Sequence, residues 1–114
     1  MTPGTTPTNT FTLPITPPSG TKFRVVYAQG EDHNEVFLFD KTTEDCTIEG
    51  NKLTVRLEAH ETMKIDTTPK WHNGKFELLP VKMQVGMETP AGDIFWSNII
   101  EESPDRLLKK DGVV

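Results

Sequence analysis

The sequence predicts an all-β domain, an antiparallel sandwich of about seven strands with one short helical turn. Three observations lead there. Lys52 to Glu58 and Val81 to Glu88 alternate apolar and polar residues with period two. That is the pattern of half-buried strands, with one face on a core and one in water. Shorter β-branched and aromatic runs fill the intervals, and turn residues punctuate them at strand-length spacing.

Taken in order, Phe11, Leu13 and Ile15 alternate with Thr10, Thr12 and Pro14. Phe23, Val25 and Tyr27 alternate with Lys22, Arg24 and Val26. Val36 to Phe39 is uninterrupted and reads as a strand covered on both faces. Cys46 and Ile48 alternate with Thr47 and Glu49, and Glu49-Gly50-Asn51 is a tight hairpin into the Leu53 strand. Ala59 to Ile65 lacks alternation and reads as one helical turn crossing between the sheets. Thr67 to Gly74 reads as a loop. Thr89 to Asp93, with Pro90 and Gly92, turns into a last strand from Ile94 to Ile100. Val55, Leu57, Val81, Met83, Val85 and Trp96 are the expected core.

The 114 residues fit one domain, large enough for a core without disulfide staples. Hydrophobic residues are 34% of the chain, so the core is modest. Pro3, Pro7, Pro14, Pro17 and Pro18 crowd the N-terminal end and exclude helix there. The organisation expected is an extended arm over residues 1–10, the sandwich over 11–104 and a tail over 105–114. The formal charge of −5 opposes binding to phosphate backbones, and the only adjacent basic pair, Lys109-Lys110, is flanked by Asp105 and Asp111. No apolar run approaches the ~20 residues of a membrane helix. Met1 to Thr6 has neither the basic nor the apolar region of a secretory leader, and the single cysteine fits synthesis in a reducing cytoplasm.

No catalytic, metal or cofactor constellation emerges. Cys46, the single cysteine, alternates with polar neighbours as a small core residue does, and reads as a buried thiol rather than a nucleophile. His33, His60 and His72 are scattered over expected loops or turns, without the i, i+4 spacing of a zinc pair. Glu31-Asp32, Glu44-Asp45 and Glu101-Glu102 are adjacent carboxylates, and neighbours in a strand point to opposite faces. Gly30 to Glu35 lacks the residue order of a calcium loop and reads as a solvated acidic loop. Trp96 reads as core. Trp71, beside His72 and Asn73, is an interface anchor, a sugar platform or a lid on the sandwich end.

Several stretches together resemble a known class of proteins. They are Phe11-Thr12-Leu13-Pro14, Arg24 to Gln29, Asp45 to Asn51 followed by Leu53 to Leu57, Glu61 to Lys64, Val81 to Val85, Ser97 to Ile100 and Leu108 to Val114. Their order resembles small structural proteins of tailed bacteriophages and prophages of gut Firmicutes. It is similar in outline to the immunoglobulin-like N-terminal domain of phage baseplate upper proteins, where a hairpin, a Leu-x-x-x-x-Thr turn and a long strand recur. Leu57 to Thr62 has that spacing. The resemblance implies an immunoglobulin-like sandwich and a place in the virion, in tail, baseplate, neck or capsid decoration. Its motifs are packing and turn motifs, and no site residues come with them.

The expected function is therefore non-enzymatic protein–protein docking in a multi-copy or homo-oligomeric virion assembly, with other virion proteins as partners and neither nucleic acid nor membrane. Candidate interface residues are Trp71 and the apolar pairs Leu107-Leu108 and Val113-Val114, and the arm and tail are expected to be docking segments. The alternative is a β-sandwich module binding carbohydrate or a cell surface, with Trp71 and either Tyr27 or Phe37 contacting a surface glycan.

Overall fold

The structure, a computed structural model, describes residues 1–72 and 74–105. It is an all-β antiparallel sandwich, as the alternation predicts. The strands are β1 (Thr8–Thr12), β2 (Lys22–Gln29), β3 (Val36–Thr42), β4 (Cys46–Glu49), β5 (Lys52–Arg56), β6 (Lys70–His72), β7 (Lys75–Glu77), β8 (Val81–Glu88), β9 (Ile94–Trp96) and β10 (Ile100–Glu102). A 3-10 turn at Thr43–Asp45 links β3 to β4, and a helical turn α1 (Ala59–Thr62) follows β5. The first sheet has the order β1-β5-β4. The second has the order β10-β8-β2-β3, with β9 also on β8, while β6 and β7 form a separate hairpin.

The two clearest alternating segments, β5 and β8, are the middles of their sheets. All eight residues of β2 pair with β8, from Lys22 opposite Glu88 to Gln29 opposite Val81. Phe23, Val25 and Tyr27 from β2 and Met83, Val85 and Met87 from β8 then face Phe11, Leu53 and Val55 of the first sheet in one apolar core. Leu57 and Val81 are fully buried. The hairpin at Gly50 needs a left-handed residue, and Gly50 supplies φ of 61°.

The expected core holds except for Trp96, which is 52% exposed. In the register Trp96 lies opposite Gly86, whose neighbours in β8, Val85 and Met87, face the core. Trp96 is therefore on the outer face. It lies flat on β8 there, because Gly86 has no side chain: a Cβ would stand 2.5 Å from the indole. β8 is consequently buried on both faces along most of its length, where period two led us to expect a wet face. Lys82 is the other polar-face residue covered, here by Asp32 and Glu35.

Two other expectations change. Thr67 to Gly74 is not all loop, because Lys70–His72 pairs with Lys75–Glu77. Val36 and Phe37 are 66% and 58% exposed, not covered on both faces, because β3 is the outer strand of its sheet.

The largest correction concerns residues 1–10, expected as a free docking arm. Thr8–Thr12 pairs with β5 residue by residue, and the chain before it packs onto its own domain. Met1 and Pro3 are buried. The Met1 amino group donates to the Ser103 carbonyl at 3.0 Å and sits 2.7 Å from Glu102 Oε1. Thr62 donates its hydroxyl proton to the Thr5 carbonyl at 2.8 Å, and Leu57 N–H donates to the Pro7 carbonyl. Composition hid this, since threonine, proline and glycine bury little surface but offer carbonyls that a neighbour with a spare donor can use. Deletion of residues 1–7 removes one buried methionine and several hydrogen bonds, and should lower unfolding free energy by roughly 2–5 kcal/mol. A urea midpoint equal to that of the full chain would contradict the packing of this segment.

Candidate functional site

The exposed apolar side chains concentrate on one edge. Past β8, the second sheet ends in β9 and β10. Since β2 fills one side of β8 over its whole length, both must pair with the other side, β9 with residues 86–88 and β10 with residues 81–83. Between Trp96 opposite Gly86 and Ile100 opposite Met83, three residues face two. That is a β-bulge, which bends the strand and interrupts its ladder. Ser97 closes the break: its N–H donates to the Val85 carbonyl at 2.8 Å, and its hydroxyl oxygen accepts the Val85 N–H at 2.9 Å. Gln84 Nε2 holds the Ser97 carbonyl at 2.9 Å.

The interrupted edge is strongly apolar. Ile94, Phe95, Trp96, Ile99 and Ile100 are 63%, 48%, 52%, 54% and 42% exposed. Phe95 and Ile100 lie opposite Met87 and Met83, so they belong to the core face of the sheet but have no cover. Across from them stands β1, the outer strand of the first sheet. Between the two edges runs a slot of about 200 Å³, walled by Phe11 and Leu13 on one side and by Val85, Met87, Phe95 and Ile100 on the other. The sandwich is thus open along this side, with its interior residues lining the opening. Natural edge strands are usually blunted by lysine, proline or bulges. Here the bulge is present while the side chains remain apolar. The sequence places Ile94 to Ile100 in a strand with Trp96 in the core, because an apolar run does not report whether anything covers it.

Trp71 falls on β6, with its ring 5.2 Å from that of Phe76 in an edge-to-face pair. Both are exposed, at 64% and 71%, so Trp71 is no lid on the sandwich. Tyr27, weighed as a partner for it, is fully buried and stacks on Phe39. Phe37 is exposed on β3. Leu107, Leu108, Val113 and Val114 lie outside the described residues.

Cys46 is half-buried rather than fully buried, because β4 is the outer strand of its sheet. Its Sγ hydrogen bonds to the Thr42 carbonyl at 3.3 Å. Burial, and next the Asp45 carboxylate, push the thiol up to about 11 against a weaker opposing effect of Lys41. His33 sits in a loop with φ of 67°, and His60 is in α1. The adjacent carboxylates diverge as expected on β10, where Glu102 meets the Met1 amino group and Glu101 faces Lys82. Among the described residues no group of three or more His, Cys, Asp and Glu side chains could hold a metal ion. Nor, among them, is any helix long and apolar enough to cross a membrane.

Fold and site together define an antiparallel β-sandwich with an open, apolar edge. No family model and no curated protein matches the sequence.

With its pKa near 11, Cys46 should be almost wholly protonated at neutral pH and alkylate far more slowly in the native protein than in denaturant. Equal rates in both would contradict the environment described for it.

Proposed function

We propose that this domain is a non-enzymatic structural protein of a tailed-phage virion, made in the bacterial cytoplasm, and that it docks on a neighbouring virion subunit through the slot between β1 and β9–β10. The observation that bears the docking half of this reading is the set of core-face residues, Phe95 and Ile100, left half-exposed beside a slot into the interior. Contiguous apolar surface of this kind marks protein interfaces. Covering what remains exposed of Phe95, Trp96 and Ile100 would contribute on the order of a few kcal/mol. The virion half is supported by the resemblance in the order of packing and turn motifs described above.

The geometry also favours one manner of docking. The bulge at Ser97 breaks the regular ladder that a partner strand would need along β9–β10. β1 is unbroken, and only β5 pairs with it among the described strands. A partner segment that adds to β1 can set alternate apolar side chains into the slot, with backbone hydrogen bonds giving affinity and the slot giving selectivity.

Ile100→Glu places a charge at the slot without disturbing the buried core. The full-length wild type, co-expressed with the products of the genes flanking its own, should co-purify with a structural protein among them. The variant should keep its thermal midpoint and lose that association. Undiminished association of the variant, or no association of the wild type, would overturn the proposal.

A further inference from the structure

On another part of the surface, the chain forms a polar cleft of about 620 Å³ that the docking reading does not use. Trp71 of the β6–β7 hairpin lines it together with Pro80, Glu31, Asp32, Lys82 and Glu101. These side chains come from two loops, a hairpin and two strands, and nothing in the spacing of the sequence announces their convergence.

Lys82 lends the cleft an ammonium. Its side chain is only 5% exposed, and it donates to Asp32 Oδ1 at 2.6 Å and to Glu35 Oε1 at 3.0 Å. Burial works against its charge, but the two carboxylates outweigh burial and hold Lys82 above the ordinary lysine value. The hydrogen bond from Lys82 holds Glu35 below the ordinary glutamate value. The ammonium has three donors, and two are taken by these bonds. Glu101 Oε1 lies 3.8 Å from Nζ, beyond hydrogen-bond reach. A third donor and a carboxylate oxygen thus stand on either side of a gap that one hydroxyl group can bridge, accepting from Lys82 and donating to Glu101.

We propose that this cleft binds a neutral saccharide, with a sugar ring against the exposed indole of Trp71 and a hydroxyl bridging Lys82 and Glu101. An apolar ring face beside a fixed polar group suits a pyranose, which has a C–H face and a rim of hydroxyls that both donate and accept. The volume falls in the range of small-ligand sites. Phosphorylated and acidic sugars are disfavoured, because among the described residues Asp32, Glu35 and Glu101 stand 2.6, 3.0 and 3.8 Å from the Lys82 ammonium. A cation is served less well, since Asp32 and Glu35 already share the Lys82 charge.

The test is a titration of the full-length, ¹⁵N-labelled chain with neutral methyl glycosides of glucose, galactose, mannose and N-acetylglucosamine, following the Trp71 indole N–H resonance. Glucuronic acid and arginine amide are the charged comparisons. At least one neutral glycoside should shift that resonance saturably. Its affinity should fall about tenfold or more in Glu101→Ala, as expected for loss of a hydrogen bond to a charged group. Trp71→Ala, read through the Gly30 and Lys82 amides, should abolish binding. Both side chains are exposed, so neither change should unfold the domain. A cleft that responds to no neutral glycoside, that prefers arginine amide, or that binds equally well in Glu101→Ala would overturn the proposal. Association with a virion partner should survive both substitutions, which separates failure here from failure of the docking reading.

Discussion

The Tyr27 side chain is the joint between the two sheets. It is fully buried at the middle of β2 and stacks on Phe39 with ring centroids 4.6 Å apart. A phenol so placed needs a polar partner for its hydroxyl. Asn9 of β1 provides one, donating from Nδ2 to the Tyr27 oxygen at 2.8 Å. One bond therefore ties the outer strand of the first sheet to the centre of the second. Burial pushes the Tyr27 hydroxyl well above the ordinary tyrosine range, against the smaller lowering effect of Asn9, so the phenol stays neutral and the joint holds through the physiological range. The Lys41–Glu61 ion pair makes a second tie, from β3 to the helical turn, and the same Glu61 carboxylate accepts the Glu58 N–H at the start of that turn.

This joint explains where the molecule is open. Near Asn9, β1 is held to the second sheet, and the segment before it is fixed by the Met1, Thr5 and Pro7 contacts. Further along, Phe11 of β1 and Leu13 just beyond it face an opposing edge that the bulge at Ser97 has bent and interrupted. The sheets close at one end of β1 and leave a slot at the other. The apolar edge and the interior slot are thus consequences of one construction.

Much of the fold was legible in the sequence because period two is a direct record of a two-faced strand. β5 and β8 sit where their alternation places them, Gly50 has the positive φ its hairpin requires, and α1 lies within the expected turn. Three things were not legible, each for a physical reason. Alternation identifies the face of a strand but not its position in the sheet, so the exposed Val36, Phe37 and Trp96 read as interior. A Thr/Pro-rich segment shows no hydrophobic signal, so the ordered N-terminal residues read as an arm. The Lys82 cluster joins residues as far apart as Asp32 and Glu101, and their convergence depends on β2, β8 and β10 lying side by side. For Trp71 the sequence leaves exposure and a lid on the sandwich equally open; the structure exposes it, and neither its hairpin nor its neighbours in the cleft are legible from spacing.

Backbone amide hydrogen exchange tests the central claim, that the open side of the sandwich is where the molecule is completed by a partner. The full chain would be compared free and bound in its assembly. In the free protein the amides of β5 and β8 should be the most protected, while those of β1 that face away from β5 and those from Ile94 to Glu102 exchange early. On assembly, protection should rise in β1 and around Phe95 and Ile100. Protection that rises elsewhere and leaves these two edges exchanging as in the free protein would contradict the account.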